Sequence, residues 1–150
     1  MSDAGILVSI LGLQIRVDIR PSDVVEKWMT GKGIKVKVME DVPALIDTGA
    51  SVTSIDADIL RQLGYPPIGI TKLSTPSDSV ETAVYMVRLI IPSRIAPGFP
   101  PAMPRIVIDN IRAVAVQLGN QPYKELLGRD VLSKMVLIYN GPQALITLGY

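Results

Sequence analysis

The chain has 150 residues, of which 48% are hydrophobic, and a net charge of +1. That length fits one domain over residues 1–150, and the charge gives no reason to expect nucleic acid or an anionic membrane surface as a partner. It contains neither cysteine nor histidine, which excludes a disulfide framework and nucleophilic catalysis by Cys–His or Ser–His–Asp sets, and leaves no credible zinc ligands.

A mean hydropathy of +0.35 predicts more apolar surface than one small core hides, and so an oligomer interface. The lack of cysteine fits a reducing compartment, and the chain is assigned to the cytoplasm. Met1 is read as the start of a standalone protein, against a piece cut from a polyprotein.

Residues 1–33 read as an N-terminal extension with strands. The apolar run 4–13, broken by Ser9 and Gly12, lacks a basic leader and is shorter than the roughly 20 residues of a spanning helix, so it is read as a buried or interface strand. Residues 13–19 (LQIRVDI) and 34–38 (IKVKV) alternate and predict half-buried strands. Between them, residues 21–29 form either a short helix capped by Ser22 and ended near Gly31, or a loop. Residues 42–46 predict a strand. Residues 54–63 predict a helix, with Ile55, Ile59 and Leu63 on one face, Asp56 and Asp58 in the first turn, and Gly64 as its end.

Two apolar-rich arms, 70–73 and 80–91, flank a polar tip and predict a hairpin. Residues 92–104 (PSRIAPGFPPAMP) read as a proline-rich surface loop. Strands at 105–108 and 111–118, with a turn at Asp109-Asn110, are followed by a short helix over 131–135. A hairpin over 136–148 turns at Asn140-Gly141. The fold class is therefore mostly β with one or two short helices, and no internal repeat is visible.

Residues 44–51 (ALIDTGAS) drive an aspartate onto the end of an apolar strand. Burying a carboxylate is costly unless it is paired or shares a proton. Asp47 is then either a turn cap or a group whose environment is its use. Its context decides between these readings. The stretch from Ala44 to Ile55, with Asp47-Thr48-Gly49-Ala50-Ser51 and Thr53, resembles the active-site signature of aspartic proteases. Leu126-Leu127-Gly128 resembles the apolar-apolar-glycine element that packs beside the catalytic loop in that family. Arg129-Asp130 with the following helix resembles the Gly-Arg-Asp/Asn segment of retroviral-type members. The resemblance spans roughly residues 34–148 and implies a single-lobe, retropepsin-like acid-protease β-barrel.

It also implies a chemistry. Two carboxylates held close cannot both ionise cheaply, so they share one proton; one deprotonates water while the other protonates the scissile carbonyl. One signature in a chain with no repeat implies a homodimer, with one Asp47 from each subunit on the two-fold axis. Residues 6–11 and 144–148 are the candidates for an intersubunit sheet. Thr48 is expected to bond across to its counterpart, and Gly49 to hold the carboxylate by its N–H.

Ala50 and Ser51 border the substrate, and the tip Thr75-Pro76-Ser77-Asp78-Ser79 is the flap that closes on an extended peptide. Leu127, Gly128 and Arg129 support the loop. No cofactor or metal is called for. Ala50 stands where pepsin-like enzymes put a serine that favours the ionised aspartate, so activity is expected at mildly acidic to near-neutral pH. Ser51 stands where viral enzymes carry an acid, and the flap tip lacks glycine.

The expected activity is endopeptidic hydrolysis of extended segments with hydrophobic residues at the cleaved bond. The alternative is a catalytically silent dimeric peptide-binding module. Elsewhere the simpler readings hold: Asp56 and Asp58 serve a helix N-terminus and not a metal, Trp28 and Tyr85 are partly buried packing, Gly31-Lys32-Gly33 turns, and Ser133-Lys134 ends a helix.

Overall fold

Ten strands and three short helices follow one another along the described residues, 4–7, 13–92 and 105–149 of a computed structural model. In chain order they are β1 (Ala4–Leu7), β2 (Gln14–Pro21), α1 (Asp23–Gly31), β3 (Met39–Ile46), β4 (Ser54–Asp56), α2 (Ala57–Leu63) and β5 (Gly69–Ser74). There follow β6 (Ser79–Ile91), β7 (Ile106–Val116), β8 (Glu125–Leu127), α3 (Arg129–Leu132), β9 (Val136–Asn140) and β10 (Leu145–Gly149).

Seven strands form one sheet in the order β2-β3-β8-β4-β7-β6-β5, and a further β2–β6 pairing closes the first six into a barrel. Closure removes the open edges of those six strands. β5 stays outside the ring as an extension of β6. The barrel is mixed: β3–β8 and β4–β7 run parallel, and the other pairs are antiparallel. Its interior is filled by fully buried Val17, Ile19, Ala44, Ile55, Val87, Leu89, Ala113 and Leu127, the inward set of alternating strands. A second sheet, β1-β10-β9, carries the two ends of the chain. β1 pairs with β10 of the same chain, Ala4 opposite Leu148. The rest of the segment 6–11, from residue 8, lies outside the described residues, as does 93–104 of the proline-rich stretch.

Residues 21–29 settle as the helix: Ser22 Oγ accepts from Val25 N–H at 3.4 Å as its N-cap. Several expectations are corrected. Residues 34–38 alternate but join no ladder, and the strand starts at Met39. The predicted helix over 54–63 loses its first turn to β4. Asp56 is the N-cap, one carboxylate oxygen accepting from Asp58 N–H at 2.9 Å and the other from Leu118 N–H at 3.1 Å. Gly64 ends α2 in the left-handed conformation, as expected.

Asp109-Asn110 is not a turn between two strands. β7 runs through it as a bulge, the two residues opposing Arg88, with Asn110 at φ 59°. The bulge brings Asp109 to Arg88 (3.6 Å) and to Asp23 N–H (3.3 Å), and Arg88 also reaches Glu26 and Asp23, each at 3.6 Å. These ties hold the start of α1 against the barrel. The last hairpin turns through four residues, 141–144, with Asn140 Oδ1 accepting from Gln143 N–H at 3.2 Å. The short helix near 131–135 spans Arg129–Leu132 instead. Trp28 on α1 is 49% exposed. Among the described residues no helix is long and apolar enough to cross a membrane.

Candidate active site

The site is built on two parallel strands. β3 and β8 pair Ala44 with Glu125, Leu45 with Leu126 and Ile46 with Leu127. One step further, Asp47 N–H donates to Leu127 O at 3.0 Å. The ladder therefore places the backbone of Asp47, and the buried side chains of Ile46 and Leu127 lie beneath it. Asp47 itself is half-buried, and Thr48 and Gly49 are exposed.

The chain turns at once, with Ala50 N–H donating to Asp47 O at 3.2 Å. Gly49 N–H donates to Asp47 Oδ1 at 3.0 Å, so the loop's backbone orients the carboxylate. A Cβ on Gly49 would sit 3.2 Å from that oxygen, so any side chain here would push on the carboxylate by a few tenths of an ångström.

Residues 127–130 lock this loop from behind. Arg129 N–H donates to Ala50 O and its Nη1 to Thr48 O, both at 2.9 Å. With serine at 51, the guanidinium spends a bond on a main-chain carbonyl instead of a carboxylate. Gly128 lies against the chain at Val52: an added Cβ would meet Val52 C at 2.5 Å and Val52 O at 2.6 Å. Its N–H donates to Thr53 Oγ1 at 3.1 Å. Thr53, fully buried, is held in turn by Asp130. Its Oγ1 donates to Oδ1 at 2.7 Å and its N–H donates to Oδ2 at 3.0 Å. Thr53 and Asp130 belong to the matched motifs, yet sequence reasoning gave them no role.

Glu125 was missed altogether. It sits between Ala44 and Ile55 in the sheet, with its side chain fully buried. Neither carboxyl oxygen meets a donor among the described residues. Burial first, and the charge of Asp130 second, push its pKa up to about 8. The available signal was a charged residue on a strand whose neighbour, residues 44–46, is wholly apolar.

The tip of the β5–β6 hairpin is held by its own turn. Thr75 N–H donates to Asp78 O at 2.7 Å, and Asp78 N–H to Thr75 Oγ1 at 3.0 Å. Ser79 N–H donates to Asp78 Oδ1 at 2.7 Å. Pro76 fills the turn position that its fixed φ suits, and no tip residue has positive φ. This turn chemistry removes the need for glycine. The arm β5, not the tip, shares a groove with Ser51.

The sequence profile of the aspartyl protease family matches residues 33–131, from just before β3 into α3. The chain belongs to the aspartyl protease family. Its fold is similar to that of a retropepsin-like aspartic protease from Rickettsia conorii. The TM-score is 0.58 at 16% identity, over 99% of this chain and 90% of the other. This aspartyl protease is thus retropepsin-like, a single lobe on a closed six-stranded barrel. No curated protein matches its sequence.

Proposed function

We propose that this aspartyl protease is an endopeptidase that works as a homodimer, each chain contributing one Asp47. The observation that carries the reading is Asp47 itself. It is a half-buried carboxylate at the end of a barrel strand, oriented by Gly49 N–H and fixed by the ladder to Leu127. Such preorganisation suits a group that must act on a bound atom and not drift.

The chain has one such loop in 150 residues, so a second carboxylate comes from a second copy. The ionised Asp47 takes a proton from water as its oxygen attacks the scissile carbonyl carbon. The partner's Asp47, protonated, gives its proton to the carbonyl oxygen. Collapse of the tetrahedral intermediate breaks the C–N bond as the amine takes a proton from the dyad. Thr48 and Gly49 orient the dyad. Ala50, Ser51 and the tip 75–79 border the substrate, and Leu127, Gly128 and Arg129 hold the loop.

Apolar surface supports the dimer: Ile138 and Tyr139 on β9 are 54% and 61% exposed, and β9 ends its sheet. An exposed edge strand of this kind is a template for pairing with another chain. The β5–β6 hairpin is the flap.

The test is cleavage of a diverse peptide mixture, read by mass spectrometry from acidic to neutral pH, with wild type beside Asp47→Asn and beside wild type with a statine-type inhibitor. Cuts that vanish in the variant and with the inhibitor support the reading. Binding of peptides without cuts at any pH, by a folded dimer, supports the silent module.

A further inference from the structure

A groove of about 560 Å³ runs beside the Asp47 loop. Ser51 and Val52, strand β5, residues 110–112 of β7, and Asp130 and Lys134 line it. β5 is the edge strand of the seven-stranded sheet, laddered on one side only, to β6. All five residues Ile70–Ser74 border the groove, so an extended chain laid there meets free main-chain hydrogen-bonding groups.

The groove's charge is one-sided. Lys72, Arg112 and Lys134 line it, and all three are exposed. Among the described residues none of the three forms an ion pair. The one acid in the lining is Asp130. Both of its carboxylate oxygens are occupied, Oδ2 by Thr53 N–H and Oδ1 by Thr53 Oγ1 and Val131 N–H. Glu81 is opposite Lys72 in the ladder but does not line the groove. Ser51 and Val52, which follow the Asp47 loop in sequence, bring no charge.

A cleft with fixed cations and few compensating anions selects an anionic occupant. We infer that this groove is a subsite for acidic side chains of the substrate, so that this aspartyl protease prefers extended segments with Glu or Asp flanking the hydrophobic residues at the cleaved bond. The inference rests on the endopeptidase reading for its place in catalysis, but the groove's preference is measurable without cleavage.

The experiment uses three extended peptides with the same hydrophobic centre, flanked by Glu, by Gln or by Lys. Their affinities are measured on the full-length Asp47→Asn protein, and their kcat/KM on wild type. The expected order is Glu, then Gln, then Lys, with about a tenfold step between Glu and Gln. That step shrinks as salt rises from about 0.05 to about 0.5 M. The triple variant Lys72→Ala/Arg112→Ala/Lys134→Ala levels the three affinities. Lys134→Glu alone moves the preference toward the Lys peptide.

Equal affinities for the three peptides on Asp47→Asn overturn the inference, as does a Glu preference that survives the triple variant. Wild type that cuts none of the peptides, while Asp47→Asn still ranks them by charge, sinks the endopeptidase reading and leaves the anion-selective groove standing.

Discussion

Gly128 sets the tightest constraint at the scale of single residues. There is no room for a methyl group between it and the main chain of Val52, 2.5 Å from the ideal Cβ position. The obstacle is backbone, which moves only if the catalytic loop moves with it. Gly128→Ala should therefore lower stability by about 2–4 kcal/mol and abolish whatever the loop does. Chemical denaturation reads the first effect as a lower midpoint at unchanged slope. A variant as stable as wild type contradicts the packing described.

Thr53 gives a milder case. Thr53→Val removes the hydroxyl between Gly128 N–H and Asp130 Oδ1. That leaves a buried N–H unpaired, at a cost of about 1–3 kcal/mol. Thr53→Ser keeps the bonds and should recover most of the loss in the same denaturation experiment.

The strand β8 carries the next prediction. Glu125 lies on it in the barrel wall, between Ala44 and Ile55. Its pKa is about 8 in the fold, against an ordinary 4.5. The neutral carboxyl is what the fold tolerates. The contribution is fully present below about pH 4.5, declines as pH rises, and is lost once pH passes about 8. At about 1.4 kcal/mol for each pKa unit, the difference is on the order of 5 kcal/mol between the two limits. Glu125→Gln, which cannot ionise, should flatten that decline, and its thermal midpoint should exceed wild type's most at pH 8 and above. A parallel pH dependence for the two proteins would refute it.

Elements also show what the sequence makes legible. Where one signal acts alone the reading holds: β2 alternates, and the hairpin arms flank a polar tip. Where two signals compete, the local one loses. IKVKV has a strand's period, but it follows the turn at Gly33 and joins no ladder among the described residues; the ladder begins at Met39. Asp109-Asn110 has turn chemistry, yet a bulge accommodates the same left-handed Asn110 without ending β7. The start of the residue 54–63 helix was lost to parallel pairing of β4 with β7, which no local pattern announces. At the site the motif gave Asp47 and Gly128. The Thr53–Asp130 tie and buried Glu125 depend on contacts 77 residues apart and on a barrel interior, and so escaped.

For the whole molecule, the account needs two chains. A single barrel presents one Asp47, and the activity proposed for it requires a pair sharing a proton. Total activity should therefore fall on dilution more steeply than concentration, as dimers separate, and sedimentation should show the monomer appearing over the same range. Loss of activity without dissociation, or dissociation without loss, contradicts the shared site. Exposed Ile138 and Tyr139 on β9 are apolar surface that a second copy would cover.

The most direct test mixes wild type with an excess of Asp47→Asn under conditions that let subunits exchange, and follows cleavage of one susceptible peptide. The account predicts that activity collapses as the excess grows, because wild-type chains are drawn into mixed dimers that hold a single acid. Activity that stays proportional to the wild-type protein added would show that one chain suffices and would contradict the dyad.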